Sequence, residues 1–314
     1  MTFMRIYHDI EECRNIPSPV VTTGTFDGVH LGHQAIFRDM GQVAAETGGE
    51  TVVVTFHPHP RLVIHPDSKD LKFINTQKKK IRLMESFGIQ HLVIIPFTRE
   101  FSNTPSSDFV KKYLVDKIGV KNLIIGHDHH FGKDRRGSFG ELIGLSKIHS
   151  FKVRKVPEQQ VDGIPVSSTK IRNALMEGNV RLANKLLGYQ YSISGKVVLG
   201  NKIGRTIGFP TANIDLEDRY KLISANGVYA CKTRVSERIY KGMGNIGYRP
   251  TVNSGGLTIE VNIFEFDRDI YGEEIEIFFL DRIRDEKRFD SLHELRDQLI
   301  SDKAKVVDML RAYP

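Results

Sequence analysis

Residues 20–37 read VVTTGTFDGVHLGHQAIF. A β-branched run breaks at Gly24, and a helical spacing of apolar residues (Ile36, Met40, Val43) begins shortly after it. The pattern predicts a strand over 20–24, a glycine-rich turn, and a helix stopped by Gly48-Gly49. The rhythm then repeats. TVVVTF (51–56) predicts a buried strand, KKKIRLMESFG (78–88) a helix, and HLVIIPF (91–97) a strand. SSDFVKKYLVDKIG (106–119) predicts a helix opened by Ser106 or Ser107, and NLIIG (122–126) a strand. Alternating strands and helices imply an α/β, Rossmann-like parallel sheet with helices on both faces. Ligand sites in such sheets lie beyond the carboxyl ends of the strands. GTFDGVHLGH (24–33), HPHP (57–60) and GHDHHFG (126–132) each follow a predicted strand, so all three are expected at one edge.

SSTKIRNALMEGNV (167–180) and RLANKLLG (181–188) read as two short helices closing this half. The rhythm changes after Gly188. YSISGKVVLG, NGVYACKTRV, RIYKGMGNIG, LTIEVNIFEF and EEIEIFFLDRIR are strand-like and separated by turn residues; a helix follows only in SLHELRDQLISDKAKVVDMLRAY (291–313). That succession argues for an antiparallel barrel with a terminal helix. The expected domains are residues 1–187 and 188–314.

The chain of 314 residues carries a net charge of +7. Residues 1–187 hold 26 Lys and Arg against 19 Asp and Glu, and residues 188–314 hold 19 against 19, so the excess lies in the first half. A partner with several phosphates, a nucleotide or a nucleic acid, is one reading of that excess; a solvated basic surface is the other. The 40% apolar content fits a globular chain, and no apolar run approaches the ~20 residues that cross a bilayer. The start, MTFMRIYHDIEE, is too charged for a secretory leader. Two distant cysteines, Cys13 and Cys231, fit a reducing cytoplasm without disulfides.

A strand-to-helix turn presents free backbone N–H groups and partial positive charge, which suit phosphate. In His30-Leu31-Gly32-His33 the glycine permits close approach. The two histidines can donate to oxygens that gain charge as a nucleoside triphosphate is attacked at its α-phosphate. Ser168 and Thr169 open a helix, and Arg172 follows on the same face with a fork that fits phosphate. His127, Asp128, His129 and His130 could be read as a metal cluster, but neighbours on one loop rarely all face one ion, and no metal-site spacing supports it.

In GRTIGFPTANI (204–214) the G-K-[ST] of a P-loop is missing. Thr211 and Asn213 alternate along an extended segment, so they point the same way; a hydroxyl and an amide oxygen suit magnesium. GMGNIG (242–247) matches a dinucleotide fingerprint, but YRPTVNSGG follows where a helix must begin, so that reading is rejected.

GTFDGVHLGH, TFHPHP, GHDHHFG and SSTKIR, in this order, resemble the adenylyltransferase module of the prokaryotic bifunctional riboflavin kinase/FMN adenylyltransferases (FAD synthetases). GRTIGFPTAN, NGVY, NIGYRPT and IEVNIFEFDRDIYG resemble the riboflavin kinase module of the same family. The resemblance implies a nucleotidyltransferase fold followed by a six-stranded Greek-key β-barrel. It implies riboflavin phosphorylation to FMN and FMN adenylylation to FAD, with ATP and Mg2+. In the first half it assigns Gly24, Phe26, Asp27, Gly28, His30, Gly32, His33, His59, Ser168, Thr169 and Arg172 to ATP and its phosphates. Asp128 and Phe131 would face the flavin, and His129 stands where the family usually has an aromatic residue. In the second half, Gly204, Arg205, Gly208, Pro210, Thr211, Asn213, Asn245 and Arg249 would bind ATP or flavin. Thr211 and Asn213 would hold magnesium, and Glu260 would be the base. Asn262 replaces a histidine common there. Small-molecule substrates, no nucleic acid, no membrane, and a monomer or weak homo-oligomer in the cytoplasm are expected. Two alternatives stay open: one retained activity, or a basic RNA-binding protein on a synthetase-like fold.

Overall fold

The valine-rich segments form the centre of a six-stranded parallel sheet in a computed structural model, which describes residues 3–67, 71–127, 139–216, 218–248 and 256–312. Its strands are β1 (Arg5–Tyr7), β2 (Val20–Thr23), β3 (Thr51–His57), β4 (His91–Pro96), β5 (Asn122–Ile125) and β6 (Lys152–Lys155), in the order β1-β4-β3-β2-β5-β6. Two β-branched faces per strand are affordable only where helices cover both sides. Between the strands run α1 (Leu31–Thr47), α2 (Pro60–Ile64), α3 (Gln77–Ser86), α4 (Arg99–Ser102), α5 (Ser106–Asp108) and α6 (Phe139–His149). The helix expected over 106–119 continues from α5 as a π-helix, Phe109–Ile118, and ends at Gly119 with φ 74°. One face packs Phe37, Met40 and Met84 against Val20, Val53 and Leu92. The other packs Phe109, Leu114 and Leu142 against Val21, Val52 and Val54.

The chain leaves β2 for β3 on one side and returns to its other side with β5. That divergence opens a crevice beyond the ends of β2 and β5. The loops after β2, β3 and β5 therefore start from one edge, as their order in the sequence suggested.

Residues Met1–Ser168 and Thr169–Pro314 are two compact units. A short hairpin, β7 (Gln160–Val161) and β8 (Ile164–Pro165), precedes α7 (Ser168–Met176) and α8 (Val180–Leu187). The sequence placed these two helices at the close of the first half; beyond Ser168, hydrogen bonds join them to the rest of the second unit. Asn184 Nδ2 donates to the Phe279 carbonyl at 2.8 Å, and Ser224 Oγ donates to the Leu175 carbonyl at 2.8 Å.

The second unit is a closed antiparallel barrel of β9 (Ser192–Val198), β10 (Ala212–Asp215), β11 (Gly227–Val235), β12 (Arg238–Tyr248), β13 (Leu257–Ile263) and β14 (Glu274–Arg284). Its order, β10-β13-β12-β11-β14-β9, places β14 beside β11 after two hairpins, a Greek key. GMGNIG lies inside β12, which rules out the dinucleotide turn. A short α9 (Ile203–Thr206) precedes β10, and α10 (Leu292–Met309) covers one flank, with Val306 buried against Val228, Ala230 and Met243.

Candidate active sites

The turn after β2 is built from left-handed backbone. Phe26 has φ 50°, Gly28 φ 87° and Val29 φ 40°. A β-branched residue in that region is strained, and the turn holds because its neighbours over-determine it. Asp27 Oδ1 accepts from the Ile74 N–H at 2.9 Å and the Asn75 N–H at 3.3 Å, so this carboxylate ties the turn to the segment before α3. Ser168 Oγ donates to the Asp27 carbonyl at 2.8 Å, so its hydroxyl hydrogen is engaged by the turn itself. Thr169 and Arg172 follow on the same helix, which runs on into the second unit.

His30 caps α1 through its backbone, and its ring stacks on His33 at a centroid distance of 3.6 Å and an angle of 18°. Phe26 meets the edge of His33 at 5.1 Å and tilts on Phe37 at 5.3 Å. Burial lowers the pKa of His33 well below that of an ordinary histidine, helped by the neighbouring His30 and Lys80. The imidazole is neutral, and its Nδ1 is buried without a hydrogen-bond partner among the described residues. A β-carbon at Gly32 would meet the His30 ring at 3.2 Å, and one at Gly24 the Phe26 ring at 3.2 Å, so both glycines make room for rings of the turn. His59 caps α2, accepting from the Arg61 N–H at 3.2 Å, while its ring lies on Phe73 at 4.4 Å. His57, the first histidine of HPHP, is exposed. Asp128 and Phe131 lie outside the described residues.

The sequence reading missed Lys80. It is only 7% exposed, and its Nζ donates to the Thr25 carbonyl at 3.2 Å and to Thr55 Oγ1 at 3.3 Å. KKK reads as a solvated run, yet Lys80 lies four residues before the buried Met84, on the inner face of α3. That spacing is the signal that could have found it.

In the second unit, Asn213 of β10 lies directly across from Glu260 of β13, and Glu260 directly across from Asn245 of β12. Opposed residues in antiparallel strands share a face, so these three side chains form a row across three strands. Thr211 Oγ1 donates to Glu260 Oε2 at 3.1 Å and joins the row. Asn213 packs over Gly200, where a β-carbon would meet its amide Cγ at 2.6 Å. Asn262 Nδ2 donates to the Pro210 carbonyl at 2.7 Å and so fastens the segment that leads into β10. Gly204 receives the Phe209 N–H on its carbonyl at 2.8 Å, closing the α9 turn; Gly208 has φ 83°, and Arg205 is exposed. Arg249 lies outside the described residues. The row offers a hydroxyl, amide oxygens and a carboxylate, a set that suits a hard cation beside a hydroxyl awaiting deprotonation. Among the described residues, no group of three or more His, Cys, Asp or Glu is placed to hold a metal.

Residues 14–170 match the family described as FAD synthetase, and residues 187–310 match that described as riboflavin kinase. A bifunctional riboflavin kinase/FMN adenylyltransferase of Listeria monocytogenes is 40% identical over 285 residues, 90% of each chain. One of Bacillus subtilis is 38% identical, over 92% of this chain and 91% of its own. One of Escherichia coli is 33% identical over 96% of each. A crystal structure described as a macrolide-efflux protein from Streptococcus pneumoniae superposes with a TM-score of 0.87 at 34% identity, covering 96% of this chain and 98% of that one. No helix among the described residues is long and apolar enough to cross a membrane.

Proposed function

Because the chain belongs to the bifunctional riboflavin kinase/FMN adenylyltransferases, we propose that FMN is adenylylated at the turn after β2 and riboflavin phosphorylated at the row around Glu260. The chain is a riboflavin kinase and an FMN adenylyltransferase, acting on riboflavin, FMN and ATP and yielding FAD. The assignment of residues is supported by two groupings: the stacked His30 and His33 in the turn after β2, and the row of Thr211, Asn213, Asn245 and Glu260 across the barrel strands.

In the first site, a phosphate oxygen of FMN attacks the α-phosphorus of ATP. The new P–O bond forms as the α–β bridge breaks, and pyrophosphate leaves with the electron pair. His30 and His33 offer N–H groups to the oxygens gaining charge, and the start of α1 adds its free backbone N–H groups. His59 is assigned to the outer phosphates. Gly24, Phe26, Asp27, Gly28 and Ser168 are assigned to ATP as well, and Asp27 and Ser168 also hold the turn together.

In the second site, Glu260 accepts the proton of the ribityl 5′-hydroxyl, whose oxygen attacks the γ-phosphorus of ATP as ADP departs. Thr211 and Asn213 fit a magnesium ion, since both present oxygen donors beside Glu260. When bound, the ion would neutralise phosphate charge. Residues 188–314 are assigned the kinase chemistry, with α7 and α8 as scaffold. The protein is assigned to the cytoplasm, as a monomer or weak homo-oligomer with no nucleic-acid partner.

The test follows riboflavin, FMN and FAD over time with ATP and Mg2+. His33→Ala should leave FMN formation intact and slow FAD formation by ~10²–10³-fold. Glu260→Gln should slow FMN formation by ~10²–10⁴-fold and spare FAD formation from supplied FMN. A variant that slows both steps, or neither, contradicts the assignment.

A further inference from the structure

Lys80 has no place in the mechanism so far, although its surroundings are costly for an ammonium. It is buried under the turn after β2 and donates to a carbonyl and a hydroxyl, both neutral. A methionine would fill similar space without the desolvation cost. The titratable groups that face it and its neighbours are Asp27 from the turn above, His30 at the cap of α1 and His33 within α1. Thr55, from β3, is itself fully buried. A cation so held has few arrangements, and its charge acts on His33.

That pair constrains what can carry charge. Two imidazoles stacked at 3.6 Å cannot both be protonated without strong repulsion, and Lys80 weighs further against a charged His33. His33 then acts as a neutral donor. We infer that Lys80 is a positioning residue for adenylyl transfer: its ammonium fastens Thr25 from below and supplies the fixed positive charge behind the histidine pair that an incoming polyphosphate meets. The field is already oriented when pyrophosphate begins to leave, so no reorganisation is needed at that moment.

Burial pushes the Lys80 ammonium down to about 8, with Asp27 opposing the shift. The sign follows. The charge is present at neutral pH and lost as pH rises through about 8 in the free enzyme. The profile of kcat/KM for ATP reports the free enzyme, so it should fall on that alkaline limb. Bound polyphosphate favours the ammonium, so the limb in kcat should lie at higher pH.

The inference rests on the adenylyl site lying at this turn. The experiment measures FAD formation from FMN and ATP between pH 6.5 and 9.5 for the full chain, Lys80→Met and Lys80→Arg. Expected is a fall of roughly 10- to 100-fold in kcat/KM for Lys80→Met at pH 7, without the alkaline limb. Lys80→Arg keeps its charge and should carry the limb to higher pH. A wild-type profile flat through pH 8, or a limb that survives unmoved in either variant, overturns the inference. Should Lys80→Met fail to fold, the wild-type and Lys80→Arg profiles decide, together with an NMR titration of the Lys80 Nζ. Normal FAD formation by His33→Ala would show that the site itself is misplaced. An intact His33 effect with an unaltered Lys80 profile would sink this inference alone.

Discussion

Gly200→Ala is expected to impair the kinase without unfolding the barrel. The new β-carbon would press hardest on Nδ2 of Asn213 and stand 2.6 Å from its Cγ. Carbon atoms rest at about 3.5 Å or more, so the amide must withdraw by about 1 Å or more. A misplacement near 1 Å at a reacting centre costs on the order of 10²-fold, about 2.7 kcal/mol of activation free energy. The group that yields is the tip of a side chain, not backbone, so thermal unfolding should move little. The assay is riboflavin phosphorylation at saturating ATP, with FAD formation from supplied FMN as internal reference. Asn213→Ala and the double variant complete a cycle. If Gly200 acts through Asn213, the double variant is no slower than Asn213→Ala. Additive losses, or a normal rate in Gly200→Ala, would refute the reasoning.

Two further outcomes follow from the geometry. A fragment of residues 169–314 should resist denaturant better than one of residues 188–314, because only the longer piece keeps Asn184 on the Phe279 carbonyl; equal midpoints would contradict this. The folded chain disfavours the Lys80 ammonium, so between about pH 8 and 10.5 it binds fewer protons than the unfolded chain. Stability should therefore rise with pH across that window, by on the order of 3 kcal/mol. Paired denaturant titrations of wild type and Lys80→Met measure it, and parallel pH curves would show that the lysine is not the cause.

Much of the fold was legible because burial on both faces leaves a plain trace. Val52, Val53 and Val54 are all completely buried, and nothing but a covered strand tolerates such a run. β1 and β6 left no such trace. They are short edge strands, and Lys152, Arg154 and Lys155 put charge where alternation would have been sought. Of the sites, the residue types and their strand-end positions could be read, but their partners could not. Spacing did not show that Asp27 holds two N–H groups from residues 74 and 75. The hydroxyl of Ser168 is likewise spent on the turn. Left-handed φ at Phe26 and Val29 contradicts local preference and arises from tertiary contacts that spacing does not encode.

The strand order of the sheet also sets a timetable for synthesis. β2, which carries the adenylyl turn at its end, pairs with β3 soon after both leave the ribosome. Its other neighbour is β5, which begins at Asn122. At roughly 5–20 residues per second, this edge of the nascent sheet stays open for several seconds. A chaperone that binds extended apolar segments would find its target there, and slowing translation between β2 and β5 should raise aggregation more than slowing it within the barrel.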